Sequence, residues 1–246
     1  MKIVKESVKE LYKERSKIGN NNSVLGGSAD KVSLHTDIYI DYFTKVYLLK
    51  FLKPKNNDTV LDFGCGVGRL SKVLAKKVDN VLGLDITPEL ISIAKNEPIE
   101  NVRYEIADNL NCLYESFTKI FTVGVLYHLD DEALRDILCQ FKERLANEGR
   151  IVLIEHSSDK PRIFDGIAKQ RTLDEWQVFF NNADLDVEIA KPIVRIPSYS
   201  MGIWKKLPRW RFLLPLLLFL EEKTLFRKRE YVDYYYYVFV LSHKNN

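Results

Sequence analysis

Apolar residues along this chain follow two alternating rhythms. Short apolar-rich runs, from Val60 to Phe63, Val81 to Asp85, Asn101 to Asp108, Ile120 to Leu126 and Arg150 to Glu155, have the length and branching of strands. Between them Leu70, Val73, Leu74 and Val78, then Leu134, Ile137, Leu138, Phe141 and Leu145, recur at the spacing of one helix face. The punctuation agrees: Asn57-Asp58 marks a turn, Thr87-Pro88-Glu89 and Asp130-Asp131-Glu132 read as helix starts, and Asn147-Glu148-Gly149 reads as a stop. Glu175 to Phe180 predicts a further helix, and Val187 to Ile189 and Tyr236 to Leu241 predict two closing strands. Strands alternating with helices imply an α/β fold with a largely parallel sheet.

The first strand runs straight into Gly64-Cys65-Gly66-Val67-Gly68. Glycines at alternate positions let the chain turn tightly and let a ligand approach without meeting a Cβ. The following helix start is expected to offer unpaired N–H groups and positive potential to an anionic ligand group. Asp85 closes the second strand 21 residues after Gly64, where a carboxylate accepts hydrogen bonds from ribose hydroxyls. The order suits a nucleotide-type cofactor.

A nicotinamide fold carries G-x-G-x-x-G, whereas here Asp62 stands two residues before glycines at 64, 66 and 68. The chain thus resembles the class I, Rossmann-like S-adenosylmethionine-dependent methyltransferases of small-molecule type, whose first motif is D/E-x-G-x-G-x-G. The segment Val125-Leu126-Tyr127-His128-Leu129 is similar to their V-L-x-H-L. The resemblance covers residues 58 to 190 and resumes near Tyr234. It implies an open, doubly wound seven-stranded sheet of order 3-2-1-4-5-7-6 with the last strand antiparallel, an N-terminal helical segment and an insertion before the last strand. It further implies S-adenosyl-L-methionine as cofactor, with Gly64, Cys65, Gly66 and Gly68 along its methionine part. Asp62 would then position the methionyl ammonium, Asp85 with Ile86 would hold the ribose, and Asp108, Asn109 and Val125 would complete the adenine side. One departure is Thr118, where the family pattern F-D-x-I has an acid; that acid organises the start of the fourth strand.

The chain has 246 residues, enough for one α/β domain with additions. A net charge of +3 is too small to imply nucleic acid as a partner. Methyltransferases of exocyclic base amines resemble one another in an N/D-P-P-Y/F motif, which Gly124-Val125-Leu126-Tyr127-His128 lacks. Cys65, Cys112 and Cys139 have neither metal-ligand spacing nor evident pairing, so no metal is expected. No apolar run follows Met1-Lys2, and the expected location is cytoplasmic.

Three parts are expected: a helical segment over residues 1–55, a Rossmann-like domain over 56–194 and 234–246, and a helical insertion over 195–233. The first opens with a charged helix carrying Val4, Val8, Leu11 and Tyr12 on one face and resumes as helix from Asp37 to Leu52. Asn20 to Asp30 lacks a core pattern and reads as a mobile loop. The segment is either a closing lid over the substrate or a tail packed on the sheet. Between 204 and 229, Trp204, Trp210 and basic side chains flank the uncharged Phe212 to Leu220, too short to cross a bilayer. This stretch fits a lid, a dimer seam or a peripheral contact with the inner membrane surface.

Methyl transfer needs donor and acceptor held in line, and a hydroxyl acceptor also needs a base. His128, just beyond the fourth strand, is the first choice for that base, with turnover rising through the ordinary imidazole pKa; Glu155 and His156 come next. The bland alternative makes His128 a structural residue at the following helix start. His35, Tyr39 and Tyr127 are candidates for the acceptor pocket. The expected acceptor is an oxygen of a small molecule, sugar or lipid-linked glycan. Two rivals stay open: a non-catalytic S-adenosylmethionine-binding partner module and a nicotinamide-dependent oxidoreductase.

Overall fold

The computed structural model describes residues 5–19, 34–164, 166–195, 212, 214–216, 218–219 and 235–244, with the backbone alone at 34–39, 194, 195 and 235. Nine strands and six α-helices are named among them: α1 (Lys5–Ser16), α2 (Leu34–Leu52), β1 (Thr59–Phe63), α3 (Ser71–Leu74), β2 (Asn80–Asp85), α4 (Pro88–Lys95), β3 (Val102–Ile106), β4 (Phe117–Val123), α5 (Asp131–Arg144), β5 (Leu145–Ser157), β6 (Arg162–Phe164), β7 (Ala168–Gln170), α6 (Leu173–Asn182), β8 (Leu185–Arg195) and β9 (Tyr235–His243). Seven strands form one sheet of order β3-β2-β1-β4-β5-β9-β8. β1 to β5 pair in parallel, and β9 runs antiparallel to both β5 and β8. The expected order 3-2-1-4-5-7-6 is therefore the observed one, once the small β6–β7 hairpin is set apart.

Residues of period two send their side chains to opposite faces, so the sheet has two cores. Leu61, Phe63, Leu82, Ile120, Leu153 and Phe239 pack against α5 and α6 through Leu134, Leu138, Phe141, Trp176 and Phe180. Val60, Val81, Phe121, Val152, Val238 and Val240 meet α2 through Phe43, Tyr47, Leu48 and Phe51. A sheet covered on both faces leaves its strand ends as the place for a ligand.

Several boundaries differ from the expected ones. The helix expected from Gly68 is a single turn, α3, although Leu70, Leu74 and Val78 are buried as the spacing requires. The helix α5 ends at Arg144 rather than near Asn147, because Leu145 already pairs with Phe117 as the start of β5. Glu148, with φ at 61°, absorbs the bend that follows. Thr118 does the work of the missing family acid: its hydroxyl donates to Asp58 Oδ1 at 2.7 Å and accepts the Thr59 N–H at 3.1 Å.

β8 ends and β9 begins beside the carboxyl end of β5, since Arg195 and Ser157 both pair with Tyr235. The insertion therefore leaves and rejoins the sheet at that same edge. Of its described residues, Leu214 and Leu218 are buried in the α2-side core, while Phe212, Leu216 and Phe219 are exposed. Trp204, Trp210 and their basic neighbours lie outside the described residues, as do the Asn20 to Asp30 stretch, Val4, and the side chains of His35 and Tyr39. Among the described residues no helix is long and apolar enough to cross a membrane, and no cluster of three or more His, Cys, Asp or Glu could hold a metal.

Candidate functional site

A cavity of about 230 Å³ opens at the carboxyl edge of β1 to β4. Its floor comes from successive strand ends: Phe63, Gly64 and Gly66 after β1, Asp85, Ile86 and Thr87 after β2, Ala107 and Asp108 after β3, and Val123, Gly124 and Val125 after β4. Lys5, Val8 and Tyr12 of α1 roof it. These three stand at i, i+3 and i+7, one face of a helix.

The glycine loop is folded back on β2. Gly64 and Cys65 both donate their N–H to the Leu84 carbonyl, at 2.7 and 2.8 Å. Gly66 N–H donates to Asp85 Oδ2 at 2.9 Å, and Thr87 N–H to Oδ1 at 2.8 Å. Gly68 N–H donates to the Cys65 carbonyl at 3.0 Å. These loop amides are thus already paired; the expected unpaired N–H groups concern the helix start beyond Gly68, which in the structure is the single turn of α3. Gly64, Gly66 and Gly68 all have positive φ, between 57° and 77°, which L side chains adopt only with strain.

Tyr104 of β3 explains two of the glycines. A Cβ on Gly68 would stand 2.2 Å from its hydroxyl oxygen, and one on Gly83 2.7 Å from its ring. The ring crosses β2 at Gly83 and supports the loop from beneath. Cys65 packs in the same small cluster, and burial pushes its thiol up.

The carboxylates divide into two sets. Asp85 and Asp108 line the cavity. Burial raises Asp85, against its backbone hydrogen bonds to Thr87 and Gly66. Asp108 is lowered by its hydrogen bond to the Lys5 ammonium and also accepts from Asn109 Nδ2 at 2.7 Å. Of the residues expected around the cofactor, Asp62, Cys65, Gly68 and Asn109 lie outside the lining; Asp62 accepts from Ser71 Oγ at 2.5 Å, and burial raises it to about 7.

His128 reaches the cavity, whereas Glu155 and His156 do not. Its Nδ1 is 2.5 Å from the Ile167 carbonyl and its Nε2 is 3.0 Å from the Tyr12 hydroxyl. A carbonyl only accepts, so Nδ1 carries the proton and Nε2 receives the hydrogen bond from Tyr12. Burial lowers the imidazole to about 4. Glu155 is fully buried and accepts the N–H groups of Val125 and Leu126 at 3.0 Å and of Tyr127 at 3.3 Å, holding the amino end of the one-turn 3-10 helix Leu126–His128. Burial raises it to about 7 despite those donors. His156 sits between the rings of Tyr127 and Tyr236, lowered by burial to about 3.

Residues 60–149 match a family model described as a methyltransferase domain. Over that stretch the chain carries a methyltransferase domain, and its sheet has the class I, Rossmann-like order. Its sequence is 37% identical over 98 residues to phosphoethanolamine N-methyltransferase 3 of Arabidopsis thaliana, a match that covers 37% of this chain and 20% of that one. It is 25% identical over 154 residues to the uncharacterized methyltransferase YcgJ of Bacillus subtilis, covering 54% and 59%. The matched stretches are a fifth to about three fifths of those relatives' lengths. Among solved structures, the geranyl diphosphate C-methyltransferase of Streptomyces coelicolor, in complex with Mg2+, geranyl diphosphate and S-adenosyl-L-homocysteine, superposes with a TM-score of 0.67 at 12% identity. That superposition covers 97% of each chain, so the shared fold extends beyond the matched family segment.

The glycine loop, Asp85 and His128 of this methyltransferase domain announce themselves in short motifs. The roof residues Lys5, Val8 and Tyr12 do not, although Val8 and Tyr12 share the apolar face of α1. The partner of His128 Nδ1 is a backbone carbonyl, for which no residue type is a signal.

Proposed function

We propose that this protein is an S-adenosylmethionine-dependent methyltransferase acting on an oxygen of a small molecule, sugar or lipid-linked glycan. The observation that carries the cofactor reading is the pairing of the loop amides with Leu84 and Asp85. A dinucleotide pyrophosphate binds at free N–H groups of such a loop. Here the amides of Gly64, Cys65, Gly66 and Gly68 are engaged, and the carboxylate of Asp85 borders the cavity, so a dianionic bridge would meet like charge there. A cofactor with a sulfonium and an ammonium suits the same residues. A carboxylate accepts about four hydrogen bonds, which lets Asp85 take a ribose hydroxyl besides Gly66 and Thr87.

When bound, S-adenosylmethionine supplies a methyl group on a positively charged sulfur. Around it, the roof of α1 and the strand ends hold the reactants together and exclude water. As the acceptor oxygen bonds to the methyl carbon and the carbon–sulfur bond breaks, the hydroxyl proton must leave. Tyr12 borders the cavity and hydrogen-bonds His128 Nε2, so we assign the proton to Nε2 with the Tyr12 hydroxyl as relay. Glu155 and His156 take no part in this step.

Calorimetry with S-adenosylmethionine, S-adenosylhomocysteine and NAD tests the reading. Binding of the first two with no binding of NAD is expected, together with a rise in Tm by mass action. NAD binding alone would overturn it. Turnover with hydroxylated compounds separates an enzyme from a non-catalytic binding module.

A further inference from the structure

Arg171, between β7 and α6, is fully buried, a rare state for a guanidinium. The acceptors around its guanidinium lie in the turn that bears His128 and in the residues that lead from it into α5. Nη2 donates to the Leu129 carbonyl at 2.7 Å and to Asp131 Oδ1 at 2.8 Å, Nε donates to the same carboxylate oxygen at 3.2 Å, and Nη1 lies 3.4 Å from the Leu126 carbonyl. The planar group also stands over the rings of Trp176 and Phe179, at 5.6 and 5.4 Å. Its own carbonyl is fixed to the end of β5 by Ser157 Oγ at 2.8 Å and Ser158 N–H at 3.2 Å.

A helical turn leaves N–H groups unpaired at one end and carbonyls at the other. In the turn Leu126–His128 a buried carboxylate, Glu155, takes the amino end, and the buried guanidinium of Arg171 takes the carboxyl end. The same hairpin supplies the Ile167 carbonyl that fixes the proton on His128 Nδ1. An apolar side chain of similar volume would fill the space beside Trp176 and Phe179, but it could not bind two carbonyls. Buried ion pairs are often replaceable by apolar groups without loss of stability; what an apolar replacement loses here is the fork.

We propose that Arg171 is the positioning residue for His128, gripping the carbonyls of Leu126 and Leu129 so that Nε2 stays turned towards Tyr12 and the cavity. This rests on the reading of His128 as the proton acceptor. The guanidinium touches no reactant; it acts through the turn. Lys169 strengthens the grip from outside by holding both oxygens of Asp131, at 2.7 and 2.9 Å.

The test follows the imidazole itself. The titratable or charged groups around His128 are Tyr12 and Arg15 of α1, Tyr127 of its own turn, and His156 and Glu155 of β5. Arg171→Met and Arg171→Lys leave all of these in place. In the full chain, the His128 ring proton is followed by NMR against pH, assigned by comparison with His128→Ala. If Arg171 positions the turn, both variants should let water reach the ring, and its midpoint should move up by about one unit or more toward the ordinary value. The kcat should fall about tenfold or more, with S-adenosylhomocysteine affinity changed less than about threefold. A lowered Tm with the His128 midpoint unmoved would assign Arg171 to stability alone and overturn the proposal. Asp131→Asn, changed at a half-exposed side chain, serves if the Arg171 variants do not fold. It should move the midpoint in the same direction by less, and no movement would again overturn the proposal. Full turnover in His128→Ala would instead remove the base reading, and the NMR midpoints would still report whether Arg171 holds the ring.

Discussion

The Nε2 of His128 and the hydroxyl of Tyr12 lie 3.0 Å apart across 116 residues of sequence, joining the roof of the cavity to its floor. If this pair handles the acceptor proton, His128→Ala should lower turnover roughly a hundredfold to ten-thousandfold while cofactor affinity stays near that of the parent. Tyr12→Phe removes one hydrogen bond and should cost about tenfold. Turnover per folded molecule and calorimetric affinity check both. An unchanged rate in His128→Ala would leave the histidine a structural role.

The pH profile of that reaction differs from the one an ordinary imidazole would give. Burial lowers His128 to about 4, so it is unprotonated across the neutral range. Turnover should therefore be level through neutral pH and fall only as acid approaches the lowered value. A rise centred near 6.5 would show that the ring is hydrated in the working enzyme.

Asp85→Ala tests the ribose contact. Losing a hydrogen bond to a charged acceptor costs about 1.5–3 kcal/mol, a weakening of roughly tenfold to hundredfold in S-adenosylhomocysteine affinity. The same carboxylate holds the N–H groups of Gly66 and Thr87, so the melting temperature should drop as well. Parent affinity in the folded variant would remove Asp85 from the cofactor site.

How far the sequence could be read follows from the range of each interaction. The glycine loop and Asp85 rest on residues close together in the chain, and local pattern reached them; the strand order, a long-range property, came from the family resemblance those motifs carry. Glu155 was a candidate base because it closes a strand on the ligand side. Its carboxylate turns instead to three backbone N–H groups some 30 residues away, a demand set by the turn at 125–127. Thr118 read as a lost acid, yet Asp58 supplies the carboxylate one strand over. The end of α5 moved because Leu145 is claimed by pairing with Phe117, which overrides the local stop signal at Asn147 to Gly149.

Four buried groups pull stability in opposite directions with pH. Asp62 and Glu155 are raised to about 7 from 3.8 and 4.5, so the native state holds their protons more tightly; their contribution is present at low pH and is lost as pH rises through the folded value. His128 and His156 are lowered from 6.5 to about 4 and 3; theirs is present above 6.5 and is lost as pH falls through those values. Between pH 4.5 and 6.5 the two pairs oppose each other, and Asp85, also raised by burial, adds to the acids' side, so the melting temperature should be level or fall slightly as pH rises. Glu155→Gln removes one opposing acid, so its melting temperature should rise with pH relative to the parent's over that interval. A profile parallel to the parent would show that Glu155 does not titrate there.

The Tyr104 ring passes over Gly83 and reaches Gly68. Adding a methyl group at residue 68, where φ is +74°, should destabilise the fold by about 1–3 kcal/mol, with partial recovery when Tyr104 is also trimmed to Leu. Melts of Gly68→Ala, Tyr104→Leu and the double variant give the coupling. Simple additivity would mean that the ring does not limit residue 68.

That three-way fit also constrains how the chain can drift over generations. Residues 68, 83 and 104 sit on a loop and two strands, yet neither glycine can grow unless Tyr104 shrinks. Substitutions at these positions should be inherited together, so that a lineage with a smaller residue at 104 is the one free to abandon glycine at 83. The loop beneath the cavity is thereby buffered against single changes, and its shape should alter in steps of two residues at once.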